Sequence, residues 1–169
     1  MTDPHGPTME QALKAAHQHA EDFRPARGRR ARLAVVACMD RRLDPMSLLG
    51  LQPGDAYIIR NAGGLLTEDV RRSLAIAQHL LGVEEVLVVR HTDCGMTGLV
   101  DEELLEALTE ATGRRPQWRP GGFTDVEQDL GRALAELAAD PHVPCGTTAR
   151  GIIYDVVTGA ITEVRRAGA

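Results

Sequence analysis

Short apolar runs alternate with helix-like segments along this chain, and that alternation does most to narrow its fold. The runs "RLAVVA", "AYIIR" and "EEVLVVR" are short and rich in β-branched residues, which is typical of buried strands. The segment "DPMSLLGL" predicts a short helix with Pro45 in its first turn. A longer helix is predicted between an N-cap at Thr67 and a stop at Gly82. Two more helices are expected in "LVDEELLEALTEATG" and "TDVEQDLGRALAELAAD".

The closing segment "RGIIYDVVTGAITEV" predicts two strands joined as a hairpin across Thr158 and Gly159. Strands separated by helices form parallel sheets, because the crossover helix returns the chain to the same edge. We therefore expect an α/β fold: a mostly parallel β-sheet flanked by helices, with an antiparallel C-terminal strand. A chain of 169 residues fits a single domain, with residues 31–169 as its α/β core.

Residues 1–30 precede that core and are expected to hold a helix and an arginine-rich linker. Apolar residues recur there at spacings of four and three, which predicts an amphipathic helix ending before Pro25. They are Met9, Leu13, Ala16, Ala20 and Phe23. The linker "RPARGRRAR" has Arg24, Arg27, Arg29, Arg30 and Arg32. A run this short favours a solvated linker over a nucleic-acid-binding arm.

Composition narrows the choice of partners and compartment. The formal net charge of −5 gives no general attraction to nucleic acid or to anionic membranes. No apolar run approaches the roughly 20 residues of a membrane span. The start, "MTDPHGPTMEQALK", lacks the apolar segment of a secretory signal, so we expect a cytoplasmic protein. Three cysteines, an odd number, disfavour a disulfide framework and leave metal binding, catalysis or burial.

Two predicted strands end in residues that bind metals. Cys38 and Asp40 follow the first strand, and His91 and Cys94 follow the third. The carboxyl ends of parallel strands meet at one edge of the sheet, where ligand crevices form. Two thiolates and an imidazole suit zinc, and such a set with an open fourth position is a catalytic arrangement. The sequence therefore predicts a zinc site at this edge.

Asp40 has two possible roles at such a site. It could complete the zinc ligands, or it could lie outside them and accept a hydrogen bond from water on the metal. Arg42 is two residues further on, so in an extended chain it would project the same way as Asp40 and pair with it better than Arg41 would. A nucleophilic cysteine, Cys94 with His91, is the competing interpretation, but it leaves Cys38 and Asp40 without a role.

Two further features are weaker. Cys145 precedes the fourth strand and so lies towards the opposite edge of the sheet, which favours a buried or surface thiol over a ligand. The glycines of "IIRNAGG", Gly63 and Gly64, either allow a tight turn or present backbone amides to an anion. The other histidines have no ligand-like neighbour; they are His5, His17, His19, His79 and His142.

These motifs resemble those of the β-class carbonic anhydrases, above all the short bacterial members. "CMDRR" matches the family's C-x-D-x-R with Cys38, Asp40 and Arg42, and "HTDC" matches its H-x-x-C with His91 and Cys94. "QPGDAYIIRNAGG" and the C-terminal hairpin extend the similarity from about Leu33 to Val164.

The resemblance implies reversible hydration of CO₂ to bicarbonate and a proton. Cys38, His91 and Cys94 would hold one Zn²⁺ per chain, and an Asp40–Arg42 dyad would gate the fourth position. With the dyad formed, water on the zinc would ionise and attack CO₂. With it broken, Asp40 would bind the metal and close the site, a state favoured at lower pH in part of the family. The family also implies homodimers, often paired into homotetramers, with the N-terminal helix packed on a partner subunit.

One departure affects the substrate pocket. Plant-type members have a glutamine upstream of the first cysteine that orients substrate, and "RGRRARLAVVA" has none. Backbone groups at Ala62, Gly63 and Gly95 are the candidates to replace it. Close relatives of the short forms hydrolyse carbonyl sulfide or carbon disulfide with the same zinc ligands, so either activity is an alternative. A more distant alternative is a non-catalytic, zinc-stabilised domain kept closed by Asp40.

Overall fold

The structure is a computed structural model that describes residues 6–23 and 30–166. Most of the predicted linker, with Arg24, Arg27 and Arg29, lies outside these residues, as does His5. The described strands are β1 (Leu33–Cys38), β2 (Ala56–Asn61), β3 (Glu85–His91), β4 (Arg150–Tyr154) and β5 (Ile161–Val164). The described α-helices are α1 (Met9–Asp22), α2 (Pro45–Leu48), α3 (Glu68–Leu81), α4 (Asp101–Thr112) and α5 (Val126–Ala139). Short 3₁₀ turns span Ala62–Gly64 and Pro144–Thr148.

The five strands form one sheet in the order β2-β1-β3-β4-β5. The first four are parallel, and β5 runs antiparallel to β4. The predicted α/β architecture is therefore confirmed, including its antiparallel C-terminal strand. The predicted hairpin turn forms because the Asp155 carboxylate accepts hydrogen bonds from the backbone N–H groups of Val157 and Thr158, both at 2.8 Å. Gly159 then adopts φ 76°, a conformation that glycine tolerates without strain.

Local capping fixes the ends of the helices beside the sheet, as the sequence predicts. The Thr67 hydroxyl accepts a hydrogen bond from the N–H of Val70, and Gly82 ends α3 in the left-handed conformation. At α2, Asp44 is the N-cap and its carboxylate accepts from the N–H of Met46, with Pro45 in the first turn. These caps set where the chain leaves each crossover and enters the next strand.

Each face of the sheet has its own apolar core. On one face, Val36 and Val88 pack beneath α3 and α5, which contribute Leu74, Leu130, Leu134 and Leu137. On the other face, Val35, Val89 and Ile152 pack with two cysteines, Cys38 and Cys94. Burial from both sides explains why the central strands are continuously apolar. Two of the predicted metal ligands, the cysteines, are therefore part of the second core.

Helix α1 contrasts with this core because all of its described side chains are exposed. It begins with a capping box in which Thr8 and Gln11 satisfy each other's backbone N–H groups. Its predicted apolar residues stay exposed within the part of the chain that the structure describes, and Met9 is 80% exposed. Within the described ranges, no helix is both long and apolar enough to cross a membrane.

The α5 core gives a stability prediction. Leu134 is 1% exposed, so Leu134→Ala should lower the free energy of unfolding by about 2–5 kcal/mol through lost burial and the cavity left behind. Urea denaturation followed by circular dichroism measures this change. Leu80→Ala is the matched control because Leu80 is 74% exposed, and it should change stability by about 0.5 kcal/mol or less. Equal effects of the two variants would contradict this packing.

Candidate metal centre

Three candidate ligands meet at the carboxyl edge of β1 and β3. Cys38 is the last residue of β1, His91 is the last of β3, and Cys94 lies three residues further on. The β1–β3 register pairs Ala37 with Val89, which brings the two strand ends side by side. The three ligand atoms all lie within 4.8 Å of one another, and all three residues are buried. The two sulfur atoms are 3.9 Å apart.

This geometry fits a tetrahedral zinc ion. With Zn–S bonds of about 2.3 Å, two thiolate ligands of a tetrahedron lie about 3.8 Å apart, close to the spacing found here. The His91 Nδ1 is 2.8 Å from the carbonyl oxygen of Thr92. That contact places the ring proton on Nδ1 and leaves a lone pair on Nε2. The Nε2 atom is buried and has no hydrogen-bond partner among the described residues, as expected of a metal ligand.

The ionisation of the thiols also suits a metal. The pKa of Cys38 is lowered to about 4, chiefly because the Cys94 thiol donates a hydrogen bond to its sulfur, with a further contribution from His91. The same hydrogen bond, together with burial, raises the pKa of Cys94. The two sulfur atoms thus share a hydrogen bond whose proton a metal bound by both would displace.

Asp40 and Arg42 form an ion pair at the rim of this cluster. The Arg42 Nε is 3.0 Å from Asp40 Oδ1, and its Nη2 is 2.8 Å from Oδ2. The guanidinium and the backbone N–H of Arg42 hold the pKa of Asp40 well below its usual range. Asp40 Oδ2 is 3.9 Å from His91 Nε2, so the carboxylate borders the position that a fourth ligand would occupy. Arg41 is exposed, and Arg42 is the arginine that pairs with Asp40.

Arg42 has a second acidic partner that sequence reasoning missed. Its Nη1 donates to Asp93 Oδ2 at 2.6 Å, and its Nη2 donates to the Asp93 carbonyl oxygen at 2.8 Å. Asp93 has φ 53°, and it is the only described non-glycine residue with positive φ. This conformation points both its carbonyl and its carboxylate at one guanidinium. The sequence signal was the acid inside "HTDC", between the two predicted ligands.

The glycine turn after β2 packs against the first ligand. Gly64 has φ 63°, and a Cβ atom on it would lie 2.7 Å from the backbone nitrogen of Cys38. Gly63 is buried, with the side chains of Leu65 and Met96 both 3.1 Å from where its Cβ would be. The turn is thus a close-packed support for the end of β1. Ala62 and Gly95 are both exposed, and their proposed contact with substrate stays a prediction.

Arg90 is a further residue that the sequence interpretation passed over. It precedes His91 on β3, points to the opposite face of the sheet, and is 1% exposed. Its Nε donates to Asp129 on α5 at 3.1 Å, and its Nη1 donates to the Gly64 carbonyl. In the sequence Arg90 is a polar residue at the end of a predicted strand, and no motif or residue spacing indicates that it contacts the glycine turn.

Cys145 lies apart from the cluster, in agreement with its position before β4. Its backbone N–H donates to Gln78 Oε1 at 2.9 Å, and burial raises the pKa of its thiol.

Trp118, in the loop after α4, is 58% exposed and so does not cover the core. A cavity of about 470 Å³ adjoins the cluster at His91, with Thr92 and Asp93 also in its lining.

The chain is similar in sequence to proteins with related chemistry. A model of the carbonic anhydrase family matches residues 33–118. Beta-carbonic anhydrase 1 of Mycobacterium tuberculosis is 45% identical over 132 residues, which cover 78% of this chain and 81% of that protein. A carbon disulfide hydrolase of Acidithiobacillus thiooxidans is 32% identical over 149 residues, which cover 76% of this chain and 74% of the hydrolase.

The fold points the same way. The crystal structure of a carbonic anhydrase from Streptococcus mutans superposes with a TM-score of 0.83 at 37% identity, covering 92% of this chain and 96% of that one. The family match includes β1 and β3, the strands that end in the Cys-His-Cys cluster. This chain therefore belongs to the β-carbonic anhydrase family of enzymes.

Proposed function

We propose that the protein catalyses the reversible hydration of CO₂ to bicarbonate and a proton, with one zinc ion per chain. Cys38, His91 and Cys94 would hold the metal. One feature supports this above all: Asp40 borders the cluster yet is tied back by Arg42 through two side-chain hydrogen bonds. A cluster with three ligands and a restrained carboxylate leaves a fourth position for chemistry, whereas a purely structural site has four protein ligands.

When bound, zinc supplies a Lewis acid that makes water a nucleophile at about pH 7. The chain's own groups prepare that chemistry. The Thr92 carbonyl fixes the tautomer and the orientation of the His91 ring. Asp40 is an ionised acceptor next to the reaction site, where it can take a hydrogen bond from the attacking water and aim a lone pair at the carbon of CO₂.

The walls of the site suit a small apolar molecule. Leu65 and Met96 pack against the core that contains Cys38 and Cys94, and both lie where a Cβ atom on the buried Gly63 would point. CO₂ is linear and uncharged, so it is bound through such apolar surface and oriented by few polar groups. Ala62 and Gly95 are exposed residues that adjoin Gly63 and Met96 in the chain, and their backbone groups are our candidates for this orienting role.

Arg42 acts as the gate of the site in this proposal. While Arg42 binds Asp40, the carboxylate would be kept from a bound metal; if the pair broke, Asp40 beside His91 would be free to act as a further ligand. Asp93 holds the guanidinium through two further contacts, so Arg42 keeps its place whether or not Asp40 is bound. A bidentate arginine suits this role because its planar fork fixes the carboxylate in orientation as well as position.

A second candidate function has specific support. The similarity to carbon disulfide hydrolases, 32% identical over 149 residues in one case, extends over most of this chain. Carbon disulfide and carbonyl sulfide are also linear, apolar and electrophilic at carbon, so the same residues could direct water onto them. The choice between these substrates then depends on the shape of the pocket rather than on the ligands.

We further propose that residues 1–30 pack on a partner subunit in a dimer or tetramer. Helix α1 has an apolar stripe that no part of its own chain buries in the described structure. Helices of this kind are stable when an apolar face is covered. The remaining residues, 31–169, would form the zinc-binding core of each subunit.

The proposed reaction can be measured directly. Stopped-flow hydration of CO₂ by the zinc-loaded protein should give kcat/KM of about 10⁴ M⁻¹ s⁻¹ or more, the lower limit of ordinary enzymes. Carbon disulfide and carbonyl sulfide are assayed in parallel by release of hydrogen sulfide. Sulfide release without CO₂ hydration would replace the first proposal by the second, and inactivity on all three would leave a non-catalytic zinc domain.

The ligand set predicts which thiol matters for metal content. Cys38→Ser should lose most of its zinc, because serine offers zinc a much weaker ligand than thiolate. Cys145→Ser is the control, since Cys145 lies outside the cluster, and it should retain one zinc per chain. Metal analysis after gel filtration measures both. Full zinc retention by Cys38→Ser, or a large loss in Cys145→Ser, would contradict the assignment.

The gate predicts a separation of activity from metal content. Arg42→Gln should lower kcat/KM at least about tenfold, because Asp40 is then free to take the fourth position, while zinc content stays unchanged. Arg41→Gln removes the same charge from the exposed neighbour and should retain activity within about twofold. Identical behaviour of the two variants would show that Arg42 has no specific role.

A further inference from the structure

Arg90 is a buried charge that the proposed reaction does not use. Among the described residues only two charged or polar residues are buried, and they are consecutive in the chain: Arg90 and His91. Burying a guanidinium is costly unless it is paired and hydrogen-bonded. Its place immediately before a proposed ligand, on the opposite face of β3, suggests that the burial serves the metal centre.

The contacts of Arg90 join three separate parts of the chain. Its Nε donates to Asp129 Oδ2 on α5 at 3.1 Å, and its Nη1 donates to the carbonyl oxygen of Gly64. Asp129 is itself largely buried and accepts a second hydrogen bond from Arg132 at 3.2 Å. Arg90 is therefore the link between α5, the strand that ends in His91, and the glycine turn.

The glycine turn packs against the backbone at Cys38 and so connects Arg90 to this proposed ligand. Both glycines have positive φ, and Gly64 sits so close to β1 that an added Cβ would lie 2.7 Å from Cys38 N and 2.8 Å from the carbonyl carbon of Ala37. The Met39 N–H also donates to Asn61 O at 2.8 Å, which ties the end of β1 to the start of the turn. A contact that fixes the position of the Gly64 carbonyl therefore also restrains the backbone of Cys38, the first proposed ligand.

We infer that Arg90 is a positioning residue for the metal centre: it ties the backbone behind Cys38, through Gly64, to the strand that carries His91 and to Asp129 on α5. This inference rests on the proposed zinc site. Lysine would keep the charge but lacks the planar fork that spans two acceptors.

The test measures metal release, so it does not require activity. Full-length protein loaded with Zn²⁺ is mixed with a chromophoric chelator at 25 °C, and the rate of zinc transfer is followed. Arg90→Lys should release zinc at least about tenfold faster than wild type, since residues that support metal ligands typically contribute 10- to 100-fold to affinity. Arg132→Gln is the matched control, because Arg132 is the other arginine that binds Asp129 but is exposed and does not bond the glycine turn. This variant should change the rate of zinc release less than about twofold.

Circular dichroism at 25 °C confirms that each variant is folded. A wild-type release rate in folded Arg90→Lys, or equal acceleration in Arg132→Gln, would overturn the inference and leave Arg90 as an ordinary buried ion pair. If Arg90→Lys does not fold, Asp129→Ala decides: it removes the α5 anchor but keeps the arginine, and a wild-type rate there overturns the inference. Because no substrate is present, a protein that hydrates no CO₂ can still confirm this role of Arg90.

Discussion

The parallel pairing of β1 with β3 is the interaction on which the metal centre depends. The two strands are central in the sheet, and their register sets Ala37 opposite Val89, so that Cys38 and His91 leave the sheet together. A shift by one residue would turn each side chain to the other face and separate the two ligands. The apolar packing on both faces of these strands prevents such a shift, because it would expose the cores as well as the site. Packing and ligand geometry are thus fixed by the same constraint.

Two arginines hold the centre from opposite sides by different physical means. Arg42 is partly exposed and is shared by two carboxylates, so its bonds could be exchanged in the proposed gate. Arg90 is buried and bonds one carboxylate and one carbonyl, so breaking either contact would leave a desolvated charge with only one of these two partners. The first arrangement suits a gate and the second a fixed support. The chain at the end of β3 connects the two arginines. Arg90 directly precedes His91, and Asp93, which binds Arg42, follows two residues after it.

The sequence predicted the parts of this molecule that local patterns encode. The strands, the Thr67 and Gly82 caps and the C-terminal hairpin follow from periodicity and from residues with strong local preferences. The meeting of Cys38, His91 and Cys94 followed from one topological rule about parallel strands. Strand alternation predicted that Asp40 pairs with Arg42 rather than Arg41, and the pair forms, but its cause is a turn after β1 in which the Arg42 N–H also donates to Asp40. Each of these depends on neighbours in the chain or on a general property of the fold.

The roles of Asp93 and Arg90 could not be found in that way, because each depends on contacts between distant segments. Arg42 and Asp93 are 51 residues apart, and their pairing requires the unusual φ of 53° that lets Asp93 present two oxygens to one guanidinium. Arg90 bonds Gly64 and Asp129, 26 and 39 residues away in opposite directions, through a turn whose conformation only glycine allows.

Polar residues at such sites look like ordinary strand ends in the sequence, since their partners come together only when α5 and the glycine turn pack on the sheet. The ligands of a metal centre can thus be visible in a sequence while the residues that hold those ligands in place are not. For this chain, the residues around the proposed ligands bear on the choice of substrate. Hydration of CO₂ and hydrolysis of its sulfur analogues, as proposed above, would both use Cys38, His91 and Cys94, so the contacts around these residues would have to distinguish the substrates.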